Sequence, residues 1–154
     1  MDILRREFFS VGRLCLSLAL SIAVLLAASG CGSSDATTSP TSSAPFTQID
    51  VTVGTGATAN AGNSIRVSYT GWLYDAAKTN GKGTQFETNP SFGPFVLGVG
   101  NVIKGWDMGV PSMKVGGTRR LTIPPELAYG STSPGGTIPA NATLVFDVTL
   151  LSVQ

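Results

Sequence analysis

Few residues in this chain are of a type that does chemistry, and that scarcity directs the reading. There is no histidine among its 154 residues. Ser-His-Asp and Cys-His catalysis, imidazole acid–base steps and most zinc sites are therefore excluded. The two cysteines, Cys15 and Cys31, both lie near the N-terminus, so no disulfide or thiolate metal site supports the rest of the chain. Gly54-Thr55-Gly56-Ala57-Thr58-Ala59 spells a G-x-G-x-x-A dinucleotide fingerprint after a strand. No helix or βαβ unit follows it, and Tyr74 stands about 20 residues on, where an acidic residue would hold a ribose. A glycine turn is the expectation there, and no cofactor or metal is implied. What remains is a set of aromatics drawn from separate segments: Tyr69, Phe86, Phe95, Trp106, Tyr129 and Phe146. They suit ordinary core packing, or a concave apolar pocket whose polar tips are tyrosine hydroxyls and backbone N–H groups.

Composition narrows the partners. Only 12% of residues are charged, the formal net charge is +1, and no basic block occurs. Nucleic acid is thus not an expected partner, since phosphate recognition needs clustered Lys and Arg. Nineteen Gly and nine Pro predict many turns and short strands.

The N-terminus reads as an address. Arg5, Arg6 and Arg13 precede an apolar run from Leu14 to Ala28, and small residues lead into Cys31. A basic region, a short apolar core and a small-residue cleavage site are the parts of a secretory signal. The run is shorter than the roughly 20 residues a membrane-spanning helix needs. Ala27-Ala28-Ser29-Gly30-Cys31 resembles a bacterial lipobox, which implies that Cys31 is acylated and becomes the mature N-terminus. The alternative is an ordinary signal peptide, with Cys31 incidental. Gly32 and Ser33 follow, with no Asp directly after the cysteine, a pattern that resembles lipoproteins sent to the outer membrane. The expected location is the cell envelope, exported and membrane-anchored through lipid, on the periplasmic face of the outer membrane if the source is Gram-negative. Residues 1–30 then form the signal peptide. Residues 31–45, nearly all Ser, Thr, Ala, Gly and Pro, form a flexible tether that cannot bury enough apolar surface to order itself.

The elements that must position the aromatics occupy residues 46–154. Ile49–Val53 alternates apolar and polar residues, which predicts a half-buried strand. Ile65, Val67 and Tyr69 alternate with Arg66, Ser68 and Thr70 in the same way. Phe95–Leu97 is a short apolar strand, and Arg119–Ile123 is another, stopped by Pro124-Pro125. Thr143–Val153 is the longest, with Leu144, Phe146, Val148 and Leu150 on one face. Val102–Val110 places Val102, Ile103, Trp106 and Val110 at helical spacing, despite the unfavourable Gly105. The pattern predicts an α+β fold: about five antiparallel strands in a curved sheet, with one short helix packed on it. Asp75–Gln85 and Glu126–Asn141 remain as long loops.

Several ordered blocks carry a family resemblance. Tyr69-Thr70-Gly71, Gly83-Thr84-Gln85-Phe86-Glu87, Val102-Ile103-Lys104-Gly105-Trp106-Asp107, Met113-Lys114-Val115-Gly116-Gly117, Leu121-Thr122-Ile123-Pro124, Ala128-Tyr129-Gly130, Ile138-Pro139 and Ala142–Val148 all resemble the FKBP-type peptidyl-prolyl cis-trans isomerases. They follow the family's order over roughly residues 46–154. The resemblance implies an FKBP-like half-barrel and an isomerase of X-Pro bonds in envelope proteins. It also implies proline-containing polypeptides and macrolide immunophilin ligands as partners, with the domain monomeric. It places Trp106 at the pocket floor, Val102 and Ile103 beside it, and the Ile103 backbone N–H as donor to a ligand carbonyl. Tyr129 would offer its hydroxyl to a carbonyl next to the proline. Tyr69, Phe86, Phe95, Ile138 and Phe146 match the remaining apolar walls. Glu87 stands where the family has Asp in a hydrogen-bond network at the pocket edge, and no basic residue occurs over Asn89–Phe92. Two other readings stay open: a non-catalytic chaperone or scaffold that holds proline-containing segments in the same pocket, and a lipoprotein carrying a small apolar ligand.

Overall fold

A computed structural model describes residues 43–154; the expected signal peptide, most of the tether, Cys15 and Cys31 lie outside the described residues. The chain forms β1 (Thr47–Thr52), β2 (Ser64–Tyr74), β3 (Lys82–Val96), α1 (Lys104–Gly109), β4 (Thr118–Ile123) and β5 (Leu144–Val153), with 3-10 turns at Thr79–Gly81 and Pro125–Leu127. The strands make one antiparallel sheet in the order β1-β4-β5-β2-β3. This is the expected α+β arrangement of five strands and one short helix.

Strand β5 lies between β4 and β2, and its alternation sets the core. Leu144, Phe146, Val148 and Leu150 point to the helix side and are buried, as are their cross-strand partners Leu121 and Ile123 on β4 and Val67 on β2. Burying each such aliphatic side chain contributes about 1.5–3 kcal/mol. On the same face, β2 and β5 present Tyr69 and Phe146 toward α1, the start of the pocket.

Helix α1 is shorter than the predicted Val102–Val110, because Ile103 is extended (φ −58°, ψ 146°) and Val110 closes the last turn. Both glycines inside it have a packing reason. A Cβ on Gly105 would lie 2.5 Å from the buried Ile123, and one on Gly109 would lie 2.5 Å from the buried Leu121. The helix therefore sits against β4 with no side-chain spacer. The close approach outweighs the roughly 1 kcal/mol that glycine costs in a helix.

Two expectations need correction. Alternation over Ile49–Val53 does mark a strand, but β1 is exposed rather than half-buried: Ile49 is 59% and Val51 52% accessible. The residue facing inward is Asp50, opposite Arg119 on β4. Arg119 is itself buried, donates to both Asp50 oxygens (2.6 and 3.1 Å), and reaches the Gly109 and Pro111 carbonyls at 2.8 and 3.0 Å. A charged pair thus takes the inward places on this edge, and the period-2 pattern is read with its faces exchanged. The second correction concerns β3, which runs 15 residues, Lys82–Val96, where only the short strand Phe95–Leu97 is expected; it begins inside the expected Asp75–Gln85 loop. As an edge strand it keeps most side chains exposed or half-buried, and its pairing with β2 shifts register repeatedly. The shifts erase the alternation by which a strand is recognised.

The G-x-G-x-x-A stretch is a packing device. Gly56 and Ala59 donate to the Val115 and Met113 carbonyls at 3.1 and 2.8 Å. A Cβ on Gly54 would collide with the Lys114 carbonyl, so the two backbone segments touch because glycine is there.

Candidate active site

The pocket is built around one indole. Extended Ile103 starts α1 so that Trp106 falls on its sheet side, 4% accessible. Four rings from three strands, β2, β3 and β5, surround it. Tyr69 lies 5.0 Å away at 83°, Phe146 5.4 Å at 88°, Phe92 6.0 Å at 89° and Phe95 6.2 Å at 44°. Near-perpendicular contacts of this kind are the favoured aromatic geometry and add about 0.5–1.5 kcal/mol per pair beyond burial. Such a cage fixes the floor before any ligand arrives. Among the described residues, the Trp106 Nε1–H buried within it has no hydrogen-bond acceptor.

Above the floor opens a cavity of about 370 Å³, small among ligand sites and mostly apolar. Tyr69, Phe92 and Phe146 wall it, Val102 and Ile103 form the helix-side lip, and Glu87, Asn101 and Tyr129 bring polar groups to its edge. Among the described residues no acceptor takes the Ile103 amide N–H, while the Ile103 carbonyl accepts from Trp106 and Asp107. An unused backbone donor therefore sits on the lip.

The edges are held in place. The Asp107 carboxylate on α1 accepts from the Gly98 and Gly100 amides, 2.8 Å each, so one side chain staples the loop carrying Asn101 and Val102 to the helix. Both glycines are left-handed, with φ +81° and +80°, conformations other residues rarely adopt. On the opposite side Gly130 donates to the Pro125 carbonyl and accepts from the Asn141 amide, both 2.8 Å, which ties the loop bearing Tyr129 to the approach of β5. Farther along that loop, Ser133 donates to the Ile138 carbonyl at 2.6 Å.

Electrostatics favour neutral phenols. Burial pushes the Tyr69 hydroxyl well above the usual tyrosine range, and the Glu87 carboxylate beside it adds to the effect. Tyr129 moves up in the same way, first by burial and then by the charge of Glu87. Both hydroxyls therefore stay protonated, able to donate, across the physiological range.

Of the residues expected at the site, Trp106, Ile103, Val102, Tyr69, Phe146, Tyr129 and Glu87 come together on the cavity. The other three support it from behind. Phe86 stacks edge-on against Phe146 at 5.6 Å, Phe95 packs on Phe92 at 5.4 Å, and Ile138 is buried in the core. Phe92 and Asn101 line the cavity without having been expected there. The sequence does carry a signal for Phe92, an aromatic three residues before Phe95, but it falls in the irregular part of β3.

Comparison with known proteins agrees with this geometry. The family described as FKBP-type peptidyl-prolyl cis-trans isomerase matches residues 56–151. The chain is 47% identical to an FK506-binding protein of Neisseria meningitidis, over 68% of this chain and 92% of that one. It is 44% identical to FK506-binding protein 1 of Aspergillus oryzae, over 68% and 94% of the respective chains. It is also 50% identical to FK506-binding protein 4 of Chaetomium thermophilum, where the match covers 68% of this chain but only 20% of that longer one. The crystal structure of AtFKBP13 superposes with a TM-score of 0.59 at 36% identity, covering 71% of this chain and 93% of that structure. With an aromatic pocket over a helix-borne tryptophan and a family match across most of the described domain, the chain belongs to the FKBP-type peptidyl-prolyl cis-trans isomerase family.

Proposed function

We propose that this domain accelerates cis-trans rotation about X-Pro bonds in exported polypeptides. The observation that carries the reading is the caged Trp106 floor beneath a small apolar cavity with uncommitted donors at its edge. X-Pro rotation is slow because amide resonance sets a barrier of about 18–20 kcal/mol. Twisting the bond breaks that resonance and weakens the dipole of the planar amide. An apolar enclosure therefore disfavours the planar ground state, and donors that fit only the twisted form favour the transition state. No proton transfer, nucleophile or redox step is required, in keeping with a chain that has no histidine. A thousandfold acceleration needs only about 4 kcal/mol. In this scheme Trp106 supports the proline ring, the Ile103 amide and the Tyr129 hydroxyl donate to flanking carbonyls, and Tyr69, Phe92 and Phe146 exclude water.

The same cavity and the names of the FK506-binding relatives support competition by macrolide ligands. The basic and apolar N-terminus ending at Cys31 supports delivery to the envelope and attachment by acylation. A Cys31→Ser variant is expected to lose both its acyl label and its membrane partition. The activity is tested by proline-limited refolding of a model substrate. The protein is expected to accelerate the slow phase and a macrolide to abolish the effect. Macrolide binding without acceleration would favour a non-catalytic binder of proline-containing segments.

A further inference from the structure

Among the described residues the carboxylate of Glu87 is not ion-paired, unlike those of Asp50 and Asp147. Asp50 is paired with Arg119, and Asp147 with both Arg120 and Lys82. Asp107 is committed to two backbone amides. Among the described residues Glu87 has no basic partner, and no Lys or Arg lines the cavity it borders. Lys104, next to Ile103, is exposed and outside that lining. Glu87, on β3, lines the cavity edge together with Tyr69 and Tyr129.

We infer that Glu87 is a specificity-determining residue that makes the pocket prefer proline-containing segments with Lys or Arg next to the proline and disfavour those with Asp or Glu there. The preference rests on the proposed isomerase activity. Its physical source is simple. A unit charge at the edge of an apolar cavity is less screened than one in bulk water, and a substrate cation supplies the counter-charge that the fold omits. A substrate carboxylate meets like charge instead. Because the edge is open to solvent, the effect is graded rather than absolute, and salt weakens it.

The test uses two series of short peptides, Xaa-Pro and Pro-Xaa, with Xaa as Lys, Gln, Glu or Leu. Turnover is measured by exchange NMR, so that no coupling protease contributes its own selectivity. At low salt, kcat/KM for Lys should exceed that for Glu about tenfold in at least one series, with Gln between. One molar salt should compress the ratio toward unity. In Glu87→Gln the Lys-to-Glu ratio should fall to about one, whatever happens to the common rate. Because the ratio is read, general damage to the pocket cancels. A ratio near one in the wild type, or a wild-type ratio retained in Glu87→Gln, would overturn the assignment. If no peptide is turned over, Leu included, the isomerase reading fails by itself. The ratio of dissociation constants for the Lys and Glu peptides then decides the charge preference independently.

Discussion

Replacing Arg119 with methionine removes a buried guanidinium without leaving a large void, and the cost can be worked from its contacts. Arg119 satisfies the Gly109 and Pro111 carbonyls at the end of α1, in addition to its two bonds to Asp50. Asp50 is 44% accessible, so water can replace its lost partner. The two carbonyls are less easily solvated, and an unsatisfied buried acceptor costs about 1–3 kcal/mol. The apolar surface of Met returns part of this, which leaves a net loss of about 3 kcal/mol, a large share of a typical 5–15 kcal/mol stability. For a domain of this size the melting temperature should fall by about 10–20 °C. Asp50→Asn leaves Arg119 bound to both carbonyls and breaks only a half-exposed pair, so it should cost about 0.5–1 kcal/mol. Thermal and urea unfolding of the two single variants and the double variant measure the difference. Equal losses in Arg119→Met and Asp50→Asn would refute the reasoning, because the ion pair and not the helix-terminal carbonyls would then carry the stability.

Three further outcomes are expected. Trp106→Leu should fold but lose at least about tenfold in kcat/KM, roughly 1.4 kcal/mol of transition-state stabilisation, whereas Tyr129→Phe should lose less; peptide exchange rates on circular-dichroism-matched samples decide. Gly71→Ala would put a Cβ 2.5 Å from the Phe86 ring and 2.9 Å from the Phe146 ring. Overpacking of this kind costs about 1–3 kcal/mol, so the urea midpoint should fall while KM rises as Phe146 is pushed toward the cavity. Acid should destabilise the domain. Burial alone would raise the Asp147 carboxyl, but Arg120 and Lys82 outweigh it and hold it below the usual range, and Arg119 does the same for Asp50. A depressed folded-state pKa gives stability that is present above the ordinary carboxylate range and lost as pH falls through it, from about pH 5 downward. Melting curves between pH 3 and 7 should show the slope, and Asp147→Asn should flatten it.

How far the sequence revealed the molecule depends on what each signal encodes. Strand β5 was legible because one face is uniformly buried, so its period-2 pattern is undisturbed. The floor and lip of the pocket were legible because Val102, Ile103 and Trp106 lie on one short segment whose family resemblance is specific. Strand β3 was legible only at its end, Phe95 and Val96, since an edge strand with shifting register leaves no alternation to read, and Phe92 went unseen. Strand β1 was found but turned over: alternation reports that two faces differ, not which one is inside. That choice was made by Arg119, a residue on a different strand. Asp107 shows the same limit, because its bonds to Gly98 and Gly100 are a tertiary fact with no local spelling.

The glycines of α1 have a consequence for the timing of activity. A six-residue helix with Gly105 and Gly109 inside it has little tendency to form alone, and it exists because β4 offers a surface onto which only a bare backbone fits. The indole that floors the cavity is therefore placed only once the sheet has closed around it. A loosened, partly folded form of this protein should have no working pocket, so catalytic output should switch on together with the last cooperative step of folding. The proposed activity would then serve as its own quality gauge: under heat or acid stress, remaining turnover should report directly the fraction of molecules that are fully native.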